Sequence, residues 1–398
     1  MRKKVACNCK EESNGTRESH KIIPDGWVEC SYRNLFKVAS GEGLTQKKMI
    51  YGVIPVFGGN GVSGYHNSSN NDDTNIIIGR VGANCGSVIL YSGKCWITDN
   101  ALYIKEKYGE YNDLFMFYKL THEQLNRLAD RNAQPLISGE KIYGLKAVIP
   151  KKIEEQGSIA NILSTWDKAI ELKEKLIEEK KKQKCGLMQK LLTGKVRLPW
   201  FDGEWEFAEL STVCDKVTRC IDKPNEPYYR LGLRSHAKGT FHEYVENPDD
   251  NSMDKLYIVK ENDLIVNITF AWEHAIALAG SNDDGKLVSH RFPTYLFKDN
   301  ADPRFYKHYV MQSKFKKMLD DISPGGAGRN RVMNQKSFLK LMVHIPSLEE
   351  QKAIANVLDL LNKEISLHQS ELDSLKQQKK GLMQLLLTGI VRVTVETN

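Results

Sequence analysis

EEQGSIANILSTWDKAIELKEKLIEEKKKQKCGLMQKLLTGKVR, residues 154–197, returns without a gap as EEQKAIANVLDLLNKEISLHQSELDSLKQQKKGLMQLLLTGIVR, residues 349–392. The two rows lie 195 positions apart and share 23 of 44 residues, concentrated in two blocks, EEQ-x-x-IAN and GLMQ-x-LLTG-x-VR. Repetition at so long a period excludes a short-unit solenoid and implies two large modules carried on two related helices, with a pseudo-twofold axis inside one polypeptide. Apolar residues recur at alternating steps of three and four. They are Ile159, Leu163, Trp166, Ile170, Ile177, Leu187 and Leu191 in the first copy, and Ile354, Leu358, Leu361, Ile365, Leu372, Leu375, Leu382 and Leu386 in the second. That spacing predicts a coiled-coil seam.

The seam has polar members, Lys173, Lys180 and Lys184 in one copy and His368 and Lys379 in the other. Burying an isolated ammonium is costly, so these positions are expected to face solvent, a partner or DNA, or to pack their stems while the heads reach water. Each helix is predicted to stop at Thr-Gly, Thr193-Gly194 and Thr388-Gly389, where glycine accepts the left-handed cap. The second opens with the capping-box pattern Ser347-Leu348-Glu349-Glu350, and the first has a lysine at the matching place. From Gly157 to Leu192 the helix would be ~54 Å long at ~1.5 Å per residue, a spacer rather than a core.

Working outward, residues 22–150 read as short strands bounded by Gly, Asn, Asp and Ser: IPVF, NIIIGRV, GSVILYS, CWIT and ALYIK. One helix is predicted over residues 113–131. After the first repeat, LPWFDGEW at 198–205 echoes IPDGW at 23–27 and opens a second β-rich domain that runs to about residue 346. The fold class is therefore α+β: a disordered leader at 1–21, a first mixed, β-rich head at 22–150, a helix at 151–198, a second head at 199–346, and a second helix with a tail at 347–398. The heads share layout and length but not sequence, which implies one architecture presenting two specificities.

Composition limits the function classes. With 41% hydrophobic and 27% charged residues and no apolar run of bilayer length, the chain is expected to be globular and cytoplasmic, without membrane contact. The N-terminus carries no apolar stretch of the kind a signal peptide needs. Eight cysteines without C-x-x-C pairs are expected to be reduced thiols rather than disulfides or zinc ligands. A net charge of +7 favours a polyanionic partner.

Phe57-Gly58-Gly59-Asn60-Gly61 fits the F-x-G-x-G loop that methyltransferases use for S-adenosylmethionine, but the chain has no Pro-Pro dipeptide for the companion base-holding loop. A tight loop close to DNA backbone is the better reading. Pro248-Asp249 with Asp284-Gly285-Lys286 could be stretched to a metal nuclease, yet Asn282-Asp283-Asp284-Gly285-Lys286 also suits a hairpin turn. With no H-E-x-x-H, G-x-S-x-G or Walker loop, no catalytic, cofactor-binding or metal-binding residue is assigned.

What remains is basic and amide side chains in glycine-rich loops. Asn60, Arg80, Asn84 and Gln134 stand in the first head; Arg234, Lys238, Arg291, Arg329, Asn330 and Arg331 stand in the second. Arg can grip guanine, and Asn or Gln adenine, through two bonds in the major groove, so these are the candidate DNA-reading residues, with phosphate contact as the plainer role. The loop at 325–331, GGAGRNR, is the foremost candidate.

The two repeat blocks, the head openings PDGW and FDGEW, and the segments PVFGGNGVSGY, GRVGANCGSV, WITDNAL, AWEHAIAL and SHRFPTY together resemble the specificity subunits of type I restriction-modification systems. The resemblance covers nearly everything after residue 22. It implies two target-recognition domains separated by two long antiparallel helices, each reading half of a bipartite double-stranded DNA sequence. It also implies docking of two modification subunits, which supply S-adenosylmethionine and adenine-N6 methylation, and of restriction subunits, which supply ATP- and Mg-dependent translocation and cleavage. The equivalent ends of the helices, at Leu187, Met188, Leu382 and Met383, are the expected docking points. A helix of ~54 Å matches about 16 base pairs at ~3.4 Å each, enough to hold two readers on separated half-sites. The alternative is a standalone two-headed DNA-binding or scaffolding protein that serves no enzyme.

Overall fold

The computed structural model describes residues 23–130, 135–325 and 331–394; the expected leader at 1–21 lies outside them. The chain forms two compact units. One joins the residues up to Leu172 with those from Leu372 onward, and the other is Lys173–Glu371. Each unit therefore holds one head and half of each long helix, so contacts do not group the helices as separate bodies.

The first head opens with β1 (Trp27–Ser31), α1 (Tyr32–Leu35), β2 (Phe36–Ser40), β3 (Ile54–Gly58), β4 (Gly61–His66), β5 (Asn75–Gly79), β6 (Val88–Tyr91), β7 (Trp96–Ile97) and β8 (Ala101–Lys107). It continues with α2 (Asp113–His122), α3 (Gly139–Tyr143) and β9 (Lys146–Pro150) before the long helix α4 (Ile153–Leu191). The strands expected from the sequence are all here. The helix predicted over 113–131 instead stops at His122: Gln124 turns left-handed and a short 3₁₀ segment, Leu125–Leu128, carries Leu125 into the core. The turn is forced by packing, since the backbone of Asn126 lies directly against Gly86.

The second head holds β10 (Glu206–Glu209), β11 (Cys214–Val217), β12 (Cys220–Asp222), β13 (Tyr228–Leu233), β14 (Thr240–Val245), β15 (Lys255–Ile258) and β16 (Leu264–Val266). Then come β17 (Ile276–Leu278), β18 (Leu287–Val288), β19 (Thr294–Phe297), α5 (Pro303–Tyr309), α6 (Ser313–Asp321), α7 (Gln335–Phe338), β20 (Met342–Ile345) and α8 (Leu348–Leu387). Without sequence identity, it repeats the topology of the first. The pair β1-β9 is matched by β10-β20, and the four-stranded sheet β2-β8-β5-β6 by β11-β19-β16-β17. The hairpin β3-β4 with parallel β7 is matched by β13-β14 with parallel β18, widened in the second head by β12 and β15. The segment 282–286 is not a hairpin turn, because β17 and β18 on either side of it lie in different sheets.

The repeat blocks fasten each head to the helices. In EEQ, Glu350 sits at 1% exposure and Glu155 at 3%, each buried carboxylate matched by a guanidinium from beyond a Thr-Gly stop. Arg197 donates to Glu350 through Nε at 2.6 Å and Nη2 at 2.7 Å; Arg392 donates to Glu155 at 2.7 and 2.9 Å. The same carboxylates accept the indole N–H of the tryptophan that opens each head, Trp205 at 2.9 Å and Trp27 at 3.2 Å. Beside them Gln351 accepts the amide of Asp302 and donates to the Pro346 carbonyl, while Gln156 accepts that of Asn112 and donates to Pro150. Asp302 and Asn112 are the N-caps of α5 and α2, so one Glu-Gln pair orients each head's helix.

Both predicted glycine stops are left-handed, Gly194 at φ +68° and Gly389 at φ +74°, and both lie against the clamped tryptophan. A Cβ on Gly389 would come 2.5 Å from Pro24 and 3.2 Å from Trp27, so any side chain there pushes the clamp apart. Ser347 caps α8 as expected, its hydroxyl accepting from the Glu350 amide at 3.3 Å.

The seam residues are buried or half-buried, but its lysines do not face outward as a class. Lys173 pairs with Glu371 and bonds His368 at 3.0 Å; two turns on, Lys180 pairs with Glu364 at 2.6 Å. Lys379 pairs with Asp167, which also accepts the Tyr118 hydroxyl at 2.6 Å. The helices run antiparallel where they meet within each unit, which brings acids opposite these lysines. Only Lys184 keeps the expected character of a half-buried stem, and its desolvation lowers its pKa.

The clamp yields a direct test. Removing one partner of a buried ion pair leaves the other uncompensated, so Glu155→Ala and Glu350→Ala should each destabilise their own unit by about 3 kcal/mol, more than the matching glutamine variants. Hydrogen exchange read by mass spectrometry would localise the loss, and unchanged protection around Trp27 and Trp205 would show the clamp to be idle.

Candidate nucleic-acid interface

In the first head the loops that follow β3, β5 and β7 converge. The turn at residues 59–60 lies on the loop after β5 so closely that a Cβ on Gly59 would stand 2.3 Å from the Val81 carbonyl oxygen. The Arg80 amide donates to the Asn100 carbonyl at 3.0 Å, which ties in the loop after β7. The Gly82 amide donates to the Pro135 carbonyl at 3.1 Å, and Val81 bridges Leu136. Asn60 and Asn84 are exposed on this surface. Arg80 is half-buried: its Nη1 donates to the Asp99 carbonyl at 3.2 Å, and its buried Nε meets no acceptor among the described residues. Gln134 lies outside the described residues.

The second head builds the matching edge from matching loops. The tip of the β13-β14 hairpin carries exposed Arg234 and Lys238, and the loop between β18 and β19 carries exposed Arg291. The loop between β16 and β17 holds Asn267, Thr269 and Trp272 and takes the place of residues 80–87. Arg234 donates to the Thr240 carbonyl and lies 5.4 Å from the Phe241 ring. A cleft of about 280 Å³ opens between Phe241, Phe270, Phe292, Asn267 and Arg291. Aromatic walls beside an amide and a guanidinium suit contact with nucleobases.

Arg329 and Asn330 lie outside the described residues, and Arg331 is not a free reader. Its Nη2 pairs with Asp320 at 2.6 Å, its Nε donates to the Ser323 carbonyl at 3.1 Å, and its guanidinium lies 5.4 Å from the Trp272 ring. Arg331 is thus engaged by other elements of its own head. Sequence reading missed Asp99, Asn100, Asn267 and Trp272, which share these edges. Aligning the two heads strand by strand, rather than residue by residue, would have found them.

The motifs first weighed for chemistry are structural. Gly58 pairs with Gly61 across the β3-β4 turn, so F-x-G-x-G is a hairpin. Asp283 accepts from His242 at 2.7 Å and from the Gly280 amide at 2.8 Å, and Asp284 accepts the Glu261 amide at 3.0 Å. Among the described residues no group of His, Cys, Asp or Glu is placed to hold a metal, and no helix is long and apolar enough to cross a membrane.

Leu187 and Met188, expected to dock a partner, are half-buried and pack on the core of the second head, as Leu382 and Met383 do on that of the first. Their side chains are used within the molecule. Exposed positions of the same blocks include Gln189, Lys190, Gln384 and Leu385.

Two histidines are buried in the second head. His274 donates from Nε2 to the Val310 carbonyl at 2.7 Å, and His308 bonds Asp359 at 2.9 Å. Burial holds both below the ordinary 6.5, so both prefer to be neutral in the folded chain. The unfolded chain binds protons more readily, and the second head should keep its full stability above about pH 6.5 and lose it as pH falls below that value. Unfolding midpoints followed from about pH 7.5 to 5 would show this fall, flattened in His308→Gln; a midpoint unchanged by acid would contradict it.

Comparison with known proteins places these features. The family model for the type I restriction modification DNA specificity domain matches twice, at residues 24–181 and 203–377. The MjaVIII specificity subunit of Methanocaldococcus jannaschii is 25% identical over 354 residues, covering 81% of this chain and 80% of that protein. The EcoprrI specificity subunit of Escherichia coli is 35% identical over 128 residues, 32% of this chain and 31% of its own. In fold, the crystal structure of a type I S subunit from M. genitalium aligns over 93% of this chain and 97% of its own, with TM-score 0.57 at 18% identity. The HsdS subunit of Thermoanaerobacter tengcongensis aligns over 94% and 100%, with TM-score 0.51 at 14% identity.

Proposed function

The chain belongs to the type I restriction-modification DNA specificity family, and from that membership we propose that it is the non-catalytic DNA reader of such a system, each head recognising one half of a bipartite duplex target. The observation that carries the reading is the equivalence of the two edges. Two heads of unlike sequence on one topology present different side chains from corresponding loops: Asn60 against Arg234 and Lys238 at the hairpin tip, Asn84 against Asn267 and Trp272, and Asn100 against Arg291. Different side chains at corresponding places are what two half-sites of different sequence require.

The helices, 39 and 40 residues long, would set the unread spacer between the half-sites. Modification subunits would supply S-adenosylmethionine and the methyl transfer, and restriction subunits the ATP- and Mg-dependent work, in the cytoplasm. The exposed face of each GLMQ-x-LLTG block would receive one modification subunit. Glutamate at Lys190 and Leu385 together is then expected to abolish co-purification of that subunit while the chain still folds; undiminished co-purification would place the docking surface elsewhere.

Methylation mapping of a host genome carrying the system is expected to return one two-part motif with a fixed gap. Replacing residues 22–150 with the first head of another family member should change one half of that motif only. A change in both halves, or a continuous motif, would overturn the modular reading.

A further inference from the structure

The tip of the β13-β14 hairpin, residues 234–239, is held with unusual firmness for an exposed turn. The Ser235 hydroxyl donates to the Glu273 carboxylate at 2.6 Å, the His236 amide to the Glu273 carbonyl at 2.8 Å, and the Ala237 amide to the His274 carbonyl at 2.8 Å. Across its base the Arg234 amide donates to the Gly239 carbonyl at 2.9 Å. Three residues in this contact with a β-carbon are left-handed, His236 at φ +62°, Ala237 at +50° and His274 at +66°. Such conformations persist only where the surroundings over-determine them, and they cluster at ligand clamps. His274 is itself pinned from beneath by its bond to Val310.

Resting on the reading of the heads as DNA readers, we propose that this tip is a preformed DNA-reading finger and that Glu273 is the positioning residue that holds it. Lys238 is exposed at the tip and Arg234 at its base, where the guanidinium is steadied by the Thr240 carbonyl and the Phe241 ring, and nothing in this framework needs DNA to form. A loop ordered in advance loses less freedom on binding, which favours discrimination between sequences. Glu273 acts through Ser235 rather than on DNA, because a carboxylate facing the duplex would repel phosphate.

The test uses the full chain with its modification subunits and three duplexes: the mapped target, the target scrambled in the half-site of the second head, and the target scrambled in the other half-site. Glu273→Ala should weaken binding of the intact target about tenfold and erase the penalty for scrambling the second half-site, leaving the penalty at the first unchanged. Glu273→Gln, whose amide oxygen still accepts from Ser235, should restore discrimination. Ser235→Ala, which keeps both backbone bonds, should repeat the loss in milder form whether or not Glu273→Ala folds. Full discrimination in both Glu273→Ala and Ser235→Ala would overturn the proposal. So would a Glu273→Gln variant altered at a single base pair, which would make Glu273 itself a reader. If the wild-type chain distinguishes neither scrambled half-site, it is the reading of the heads that fails, not the role of the tip.

Discussion

A buried carboxylate that must be neutralised holds each half of this molecule together. Glu155 and Glu350 stand at the first turn of their helices, where the dipole favours an acid, yet they are too deeply buried to stand alone. Each is met by an arginine that lies beyond the end of the other helix and by the tryptophan that opens a head. One carboxylate therefore fixes three segments from distant parts of the chain. For the first unit those segments include both ends of the described chain, Trp27 and Arg392, so that unit is closed by an ion pair rather than by a peptide link.

This explains why the repeat is so uneven. The identities fall where the helices meet the heads, in EEQ-x-x-IAN and GLMQ-x-LLTG-x-VR, because there each residue has a partner of fixed geometry: Glu with Arg and Trp, Gln with a helix cap, Gly with a tryptophan face. Between the blocks the pairing needs only an apolar seam and complementary charges. Asp167 with Lys379 and Glu364 with Lys180 meet that need in different ways. In the heads the same topology tolerates unlike sequences, since the sheets ask only for alternating burial, and the loops at one edge are free to differ.

Much of this was legible in the chain. The period of the repeat, the seam, the glycine stops and the capping serine follow from local rules, and so do the strands of the first head. The clamp was not legible, because Trp27, Glu155 and Arg392 are joined only by the fold. The seam lysines were misjudged for the same reason: a single helix read alone does not show the acids an antiparallel neighbour brings. Arg331 looked like a reader because it sits in a glycine-rich loop, but Asp320 and Trp272 engage it from other elements. Asn60, Asn84, Arg234, Lys238 and Arg291 were nominated by residue type and loop context, and the structure sets them on corresponding, exposed edges.

The central claim is that two separate readers, each clamped by the same device, engage one duplex. Hydroxyl-radical footprinting of the chain, with the modification subunits proposed for it, on a duplex carrying the target tests it most directly. Two protected patches divided by several unprotected base pairs are predicted, with the patch of the second head lost in a chain carrying Arg234→Ala, Lys238→Ala and Arg291→Ala. A single continuous patch, or loss of both patches in that variant, would contradict the account.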